Sequence, residues 1–286
     1  MGVAYLTIAE RRGMSALQRR VGPNVVGAYG TLQPFADALK LILKENLVPQ
    51  QSNLLLFVLA PIISLVTAII GWAVIPISGY AVLSSEVSLL YSLAVSGLSV
   101  YGILFAGWAA NSKYTLLGAL RSTAQMISYE LILGAGVLGV AALTGTLNLV
   151  RIVELQEGIW LLVPLLPLAI LFTISIFAET NRTPFDLPEA ESELVSGFMT
   201  EHSSTPFVFF FLAEYCSIML ISALTSTLFL GGNLISTLFI LFLFIWIRAT
   251  LPRVRYDQLM TGAWTVLIPI VLGLLSVVMA LVPLLA

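Results

Sequence analysis

Seven apolar stretches, near 54–76, 88–110, 124–145, 159–179, 207–230, 234–251 and 262–285, each carry at most one charged residue. A helix rises about 1.5 Å per residue, so roughly 20 such residues cross the ~30 Å of hydrocarbon in a bilayer. The whole chain is 59% hydrophobic and 10% charged, where a soluble domain holds about 25% charged residues. Residues 1–9 form an eighth, shorter run ahead of Glu10-Arg11-Arg12. Its rise of about 13 Å is less than half a bilayer, which fits the C-terminal half of a span whose start is missing. The expected fold is therefore all-α and integral to the membrane. It is a polytopic bundle of eight transmembrane helices, the first truncated, forming one domain over residues 1–286.

The basic residues give an orientation. The connection between the first two spans holds Arg11, Arg12, Arg19, Arg20, Lys40 and Lys44. Lys113 and Arg121 precede the fourth span, Arg182 follows the fifth, and Arg248, Arg253 and Arg255 follow the seventh. These alternate connections hold 12 of the 13 basic residues, and only Arg151 falls on the other side. The positive-inside rule places the basic side in the cytoplasm, or in the matrix of a mitochondrion. The first connection, residues 10–50, also contains an amphipathic helix near 31–45. Phe35, Leu39 and Ile42 share one face, and Asp37, Lys40 and Lys44 share the other. Such a helix lies in the interface plane, either as a surface brace or as one wall of an entrance from the lipid.

One cysteine, Cys216, and one histidine, His202, are present. Iron–sulfur clusters, structural zinc and haem need thiolate or imidazole sets that these two residues cannot supply. No bound metal or flavin is expected either, so electrons must be carried by partner proteins. The net charge of −2 does not suggest a nucleic-acid partner. No secretory or transit peptide is visible.

Three carboxylates interrupt apolar spans: Glu130, Glu179 and Glu214. Acids at membrane depth are expensive and usually face a protein or water-lined interior. A bland alternative is that each reaches the interface, an alternative strongest for Glu179 at the end of its span. The connection at 180–205 is densely acidic, with Asp186, Glu189, Glu191, Glu193 and Glu201, and Arg182 is the only nearby cation in sequence. Crowded carboxylates raise one another's pKa and can exchange protons. Acids on a solvated helix N-terminus would look the same.

The run ETNRTPFDLPEAESELVSGF from Glu179 to Phe198 resembles the signature of the quinone-site membrane subunit family of respiratory complex I. Three further stretches are similar to that family. They are Glu10 to Glu45, Gly107 to Glu130, and Ile247 to Met260. The resemblance runs nearly end to end and looks closer to mitochondrial members. It implies eight transmembrane helices and a multi-pass place in the mitochondrial inner membrane, basic loops toward the matrix. Family members carry more of the first span than residues 1–9 supply. The subunit it implies is part of a proton-pumping NADH:ubiquinone oxidoreductase, not catalytic alone. Ubiquinone is the expected substrate. The expected partners are other membrane-arm subunits, the iron–sulfur and quinone-reducing peripheral-arm subunits, and membrane lipids. By position, Arg11, Asp37, Phe211, Leu212, Arg253 and Arg255 match the quinone passage. Glu130, Glu179, Asp186, Glu189, Glu191, Glu193, Glu201 and Glu214 match its acidic proton-coupling path.

Other readings share some of these features. A membrane subunit of a hydrogenase-type complex would share the ancestry. A self-sufficient transporter would also bury acids, but transporters usually show internal repeats with broken helices, and none is visible. A purely structural anchor would tolerate carboxamides at Glu130 and Glu214.

Overall fold

The computed structural model describes residues 2–77, 79–186 and 197–285, the last three without their side chains. It is an all-α membrane bundle with no strand among the described residues; the only pairing of extended backbone is an isolated bridge between Ile77 and Tyr80.

Helix α1, Gly2–Leu17, continues straight through Glu10, Arg11 and Arg12, because the buried Glu10 has cationic partners. Helix α2, Gln33–Ile42, is the expected amphipathic element, with a proline in its first turn and no buried residue. Leu39 and Ile42 are 58% and 54% exposed, as suits a face laid on lipid. Its C-terminal end is tied down rather than loose. The Ser204 hydroxyl donates to the carbonyls of Leu41 (2.9 Å) and Lys44 (2.6 Å), occupying acceptors that a helix end leaves open.

The spans follow as α3 (Leu54–Ile70), α4 (Ser88–Ala109) and α5 (Lys113–Thr144). A short α6 (Leu149–Leu155) precedes α7 (Leu166–Glu179), α8 (Ser204–Phe229) and α9 (Leu234–Thr250). The chain closes with α10 (Tyr256–Gly262), a π turn at Ala263–Leu267 and α11 (Ile268–Leu285). Five of these segments are long and apolar enough to cross a membrane; α7 and α9 are shorter apolar helices.

Two boundaries differ from expectation. Helix α5 begins eleven residues before 124, capped by Ser112, whose hydroxyl accepts from the Thr115 amide at 3.3 Å. Its 32 residues rise about 48 Å, so it projects beyond the bilayer and carries Lys113 and Arg121 in the helix rather than in a loop. Helix α7 starts at 166 rather than 159. Pro167 sits in its first turn, a position proline favours, and Pro164 is kept outside. Its 14 residues rise only about 21 Å.

Helix α5 is the axis of the bundle, with α4, α7 and α11 packed on it. Its glycines set the separation from α7. A Cβ added at Gly136 would meet Phe172 at 2.7 Å, and one at Gly139 would meet Leu168 at 2.6 Å. Small residues admit close helix approach in membranes, and here the neighbour is α7. Cys216 is a buried packing residue, its thiol 3.5 Å from the Ala68 carbonyl.

A buried ion cluster beside a polar chamber

Glu10 of α1 is 7% exposed and is the hub of a charge cluster joining four parts of the chain. Its Oε1 pairs with Arg182 Nη1 at 3.3 Å and with the Arg248 guanidinium in the last turn of α9. Its Oε2 accepts the Tyr215 hydroxyl from α8. Arg182 Nε lies 2.8 Å from Glu214 Oε1, also on α8. The guanidinium sits 4.5 Å over the Tyr215 ring, a cation–π contact strengthened by the dry setting. Two carboxylates thus face two guanidinium groups. Burial opposes the charge on Arg182, but Glu214 and Glu10 outweigh it and hold its proton above the ordinary arginine range. Leu6, Leu241, Phe244 and Ile245 wall the cluster, so little water screens it.

On the other side of Glu214 lies a partly open cavity of about 120 Å³ bordered by α3, α4, α5, α8 and the end of α7. That is several times what one water needs. Glu179 and Glu214 line it, together with Asn181 and a set of serines and threonines. Glu179 is 5% exposed, so it does not reach the interface as its place at a span end allowed. Among the described residues, its Oε2 has no protein partner. Glu130 stands behind Ser96, whose hydroxyl reaches its Oε1 at 3.4 Å. Gly97 makes room for it: a Cβ there would lie 3.0 Å from the same oxygen. Two of the three acids singled out in apolar spans, Glu179 and Glu214, therefore line one cavity, and Glu130 lies behind its wall at Ser96.

The turn from Thr180 to Asp186 connects chamber and cluster. Gln125 of α5, fully buried, donates from Nε2 to the carbonyls of Ala178 (2.8 Å) and Phe185 (3.0 Å), pinning both ends of the turn. From the opposite side the Val254 amide donates to the Pro184 carbonyl at 3.0 Å. Arg253 Nη2 pairs with Asp186 Oδ2 at 3.2 Å.

Among the described residues, the remaining expected site residues line neither the cluster nor the cavity. Arg11 and Asp37 pair at 2.8 Å between α1 and α2, and Gln33 donates to Asp37 at 2.9 Å. Phe211 lies 4.7 Å from the Tyr215 ring and 6.3 Å from Phe207, with Leu212 half-buried beside it. Phe210 turns inward instead, against Phe198 at 5.5 Å. Arg255 is well exposed and, among the described residues, pairs only with Asp257, at 3.6 Å. Glu201 is half-buried in the turn before α8. Glu189, Glu191 and Glu193 lie outside the described residues. Next to Glu201, His202 is buried, its ring stacked 4.0 Å from Phe57 and 5.1 Å from Phe210. Burial drives its pKa down to about 4, with weak opposition from the Ala106 backbone.

Sequence reasoning missed the hub. It treated Glu10 as the first residue of the family-like stretch Glu10 to Glu45, and Arg182 and Arg248 as loop charges that set orientation. Arg248 is in fact helical and paired. The available signal was an acid directly after the apolar run 1–9 and a lone arginine inside the apolar run 234–251. Charges in such places need partners.

A family model described as NADH dehydrogenase matches residues 1–279. NADH-ubiquinone oxidoreductase chain 1 of Mycosarcoma maydis is 56% identical over 303 aligned positions, covering 98% of this chain and 92% of that protein. The same-named chain of Trichophyton rubrum is 52% identical, covering 95% and 89%. A bacterial relative, a subunit of the NADH-quinone oxidoreductase of Rickettsia typhi, is 54% identical, covering 94% and 86%.

Proposed function

This chain belongs to the NADH dehydrogenase family and is a membrane subunit of NADH-quinone oxidoreductase, and on that premise we propose that it admits ubiquinone from the bilayer and couples its reduction to proton movement. The observation that carries the reading is that Glu179 and Glu214 line one chamber, with Glu130 behind its wall at Ser96 and Glu214 joined through Arg182 to Glu10. Acids held together around a polar space can exchange protons and respond to a nearby change of charge.

Quinone enters beside α2 and passes Arg11, Asp37, Phe211 and Leu212. Its head group advances to the basic side, where iron–sulfur partners of the peripheral arm deliver electrons. Negative charge that develops there competes with Asp186 for Arg253, and Arg255 adds to the attraction. Releasing Asp186 loosens the pinned turn, and with it the Arg182 contacts that set the charge on Glu214. Glu179 and Glu130 carry the change into the membrane. Glu189, Glu191, Glu193 and Glu201 belong to the same acidic path on the 180–205 connection. The chain works as a subunit without its own flavin, iron–sulfur cluster or metal, and is not catalytic alone. It sits in the mitochondrial inner membrane with its basic loops, 10–50 included, and the acidic 180–205 connection toward the matrix. Other membrane-arm subunits and lipids surround it.

The test is NADH-driven quinone reduction and proton uptake by the purified assembly in liposomes, with Glu130→Gln and Glu179→Gln introduced separately. Each variant is expected to assemble and to lose proton uptake per electron. Retention of the full proton-to-electron ratio in both would overturn the coupling role and favour a structural anchor.

A further inference from the structure

Gln125 is fully buried in α5, the axis of the bundle, with its amide against the turn from Thr180 to Asp186. An amide nitrogen has two protons, and here both go to that turn. One meets the Ala178 carbonyl in the last turn of α7 (2.8 Å), the other the Phe185 carbonyl (3.0 Å). Because both partners are acceptors, the nitrogen and not the oxygen faces them. The Oε1 has no protein partner among the described residues. Neighbours of Gln125 on α5 hold the same turn. Met126 Sδ lies 3.5 Å from the Asn181 amide nitrogen, and the Tyr129 ring packs 5.9 Å from that of Phe185.

Within the turn the backbone is closed on itself. Asn181 has a left-handed φ of 50°, and the Arg182 amide reaches back to the Phe177 carbonyl at 3.2 Å. That is a helix C-cap in which asparagine can stand for the usual glycine. The Phe185 amide then donates to the Arg182 carbonyl at 2.8 Å. Arg182 and Asp186 therefore ride on one short, closed piece of backbone. Residues 253 and 254 grip it from the other side, through Arg253 on Asp186 and the Val254 amide on the Pro184 carbonyl. A closed turn fixed at two carbonyls to one nitrogen, and gripped elsewhere, moves as a lever about that nitrogen.

We propose that Gln125 is a positioning residue for coupling, the pivot about which the Thr180–Asp186 turn carries a change at Arg253 to Arg182 and its partner Glu214. The proposal rests on the coupling role given to this chain above. Without the pivot, Asp186 can still part from Arg253, but the turn absorbs the motion before it reaches Glu214.

The experiment measures NADH-driven quinone reduction and proton uptake together, on the whole complex in liposomes. Gln125→Met keeps the length of the side chain and removes both donors. Proton uptake per electron should fall by about half or more while the quinone KM stays within about twofold, because the quinone passage is untouched. NADH oxidation with a soluble artificial acceptor verifies assembly.

Gln125→Glu supplies a readout that a merely structural role would not move. A carboxylic acid can still donate one proton to a carbonyl, a carboxylate none, and burial moves the ionisation up toward neutral pH. Relative to the parent at the same pH, proton uptake per electron should be largely retained in acid and fall reversibly as pH rises. Should the methionine variant not assemble, this pH profile decides alone. A ratio equal to the parent's in both variants would overturn the proposal, as would a loss in Gln125→Glu that pH leaves unmoved. Either result leaves the coupling role itself standing, because that role fails separately, through full ratios in Glu130→Gln and Glu179→Gln.

Discussion

Two regions that share Glu214 as their boundary handle buried carboxylates in opposite ways. In the cluster, Glu10 and Glu214 are matched by Arg182 and Arg248 and backed by a tyrosine hydroxyl. In the chamber, no ion pair to Glu130 or Glu179 exists among the described residues; hydroxyls and space take the place of cations. The same residue type thus performs two tasks. A paired carboxylate is fixed in its charge and holds helices together, whereas one beside hydroxyls and room for water is free to change its charge. The first suits a structural element, and the second is what the proposed coupling role requires.

The sharpest way to break this contrast is to remove the cation of the cluster. Arg182→Met leaves two buried carboxylates facing each other with only Arg248 to compensate, and deleting one partner of a buried pair typically costs about 3–5 kcal/mol. The expected result is loss of assembled complex on a native gel, or a large drop in thermal midpoint in detergent. Arg182→Lys should recover only part, because lysine cannot address Glu10 and Glu214 with a planar fork while lying over Tyr215. An Arg182→Met complex as stable as the parent would mean that the cluster is not a structural element.

Acid should strike the chamber side next. His202 supports Phe210 in the chamber wall, and its pKa falls from 6.5 to about 4 on folding. Within that interval the unfolded chain binds the proton and the folded one does not. Stability is therefore full above pH 6.5 and declines as pH falls toward 4, by no more than about 3 kcal/mol. Thermal midpoints measured across that range should slope downward with acid, and His202→Phe should flatten the slope. An unchanged slope would remove His202 from the account.

Glu179→Gln is expected to be nearly silent in stability, within about 1 kcal/mol of the parent, because a buried carboxylate without a counter-ion is itself unfavourable. Yet the same substitution should abolish coupling. A stability loss comparable to that of Arg182→Met would show that Glu179 is paired after all and would erase the difference between the regions.

How much of this was legible in the chain differs between the regions for a physical reason. The spans follow from apolar length, and the alternation of basic residues locates the connections. The chamber acids stand out because each interrupts an apolar run, a feature local in sequence. The cluster is not local: Glu10 meets Arg182 across 172 positions and Arg248 across 238. Nothing in hydropathy or spacing joins residues that far apart. The start of α7 was misplaced because hydropathy registers the apolar residues 159–165 but not the effect of Pro164 and Pro167 on the backbone.

The smallest effect supplies the baseline against which the others are read. Arg255 and Asp257 pair at 3.6 Å with side chains 78% and 77% exposed, where water and salt screen the attraction. Arg255→Ala should change stability by no more than about 0.5 kcal/mol. Arg253, two residues earlier, pairs with an Asp186 side chain that is 9% exposed, and Asp186 would remain buried without it. Double-mutant cycles on Arg255/Asp257 and Arg253/Asp186 should therefore give a coupling near zero for the first and a clearly larger one for the second. Both arginines remain candidates for attracting a negatively charged quinone. A quinone KM raised by Arg255→Ala at unchanged stability would separate that attraction from any structural role. Equal coupling energies in the two cycles would mean that burial does not set the strength of ion pairs on this face, and the contrast between cluster and chamber would then need another cause.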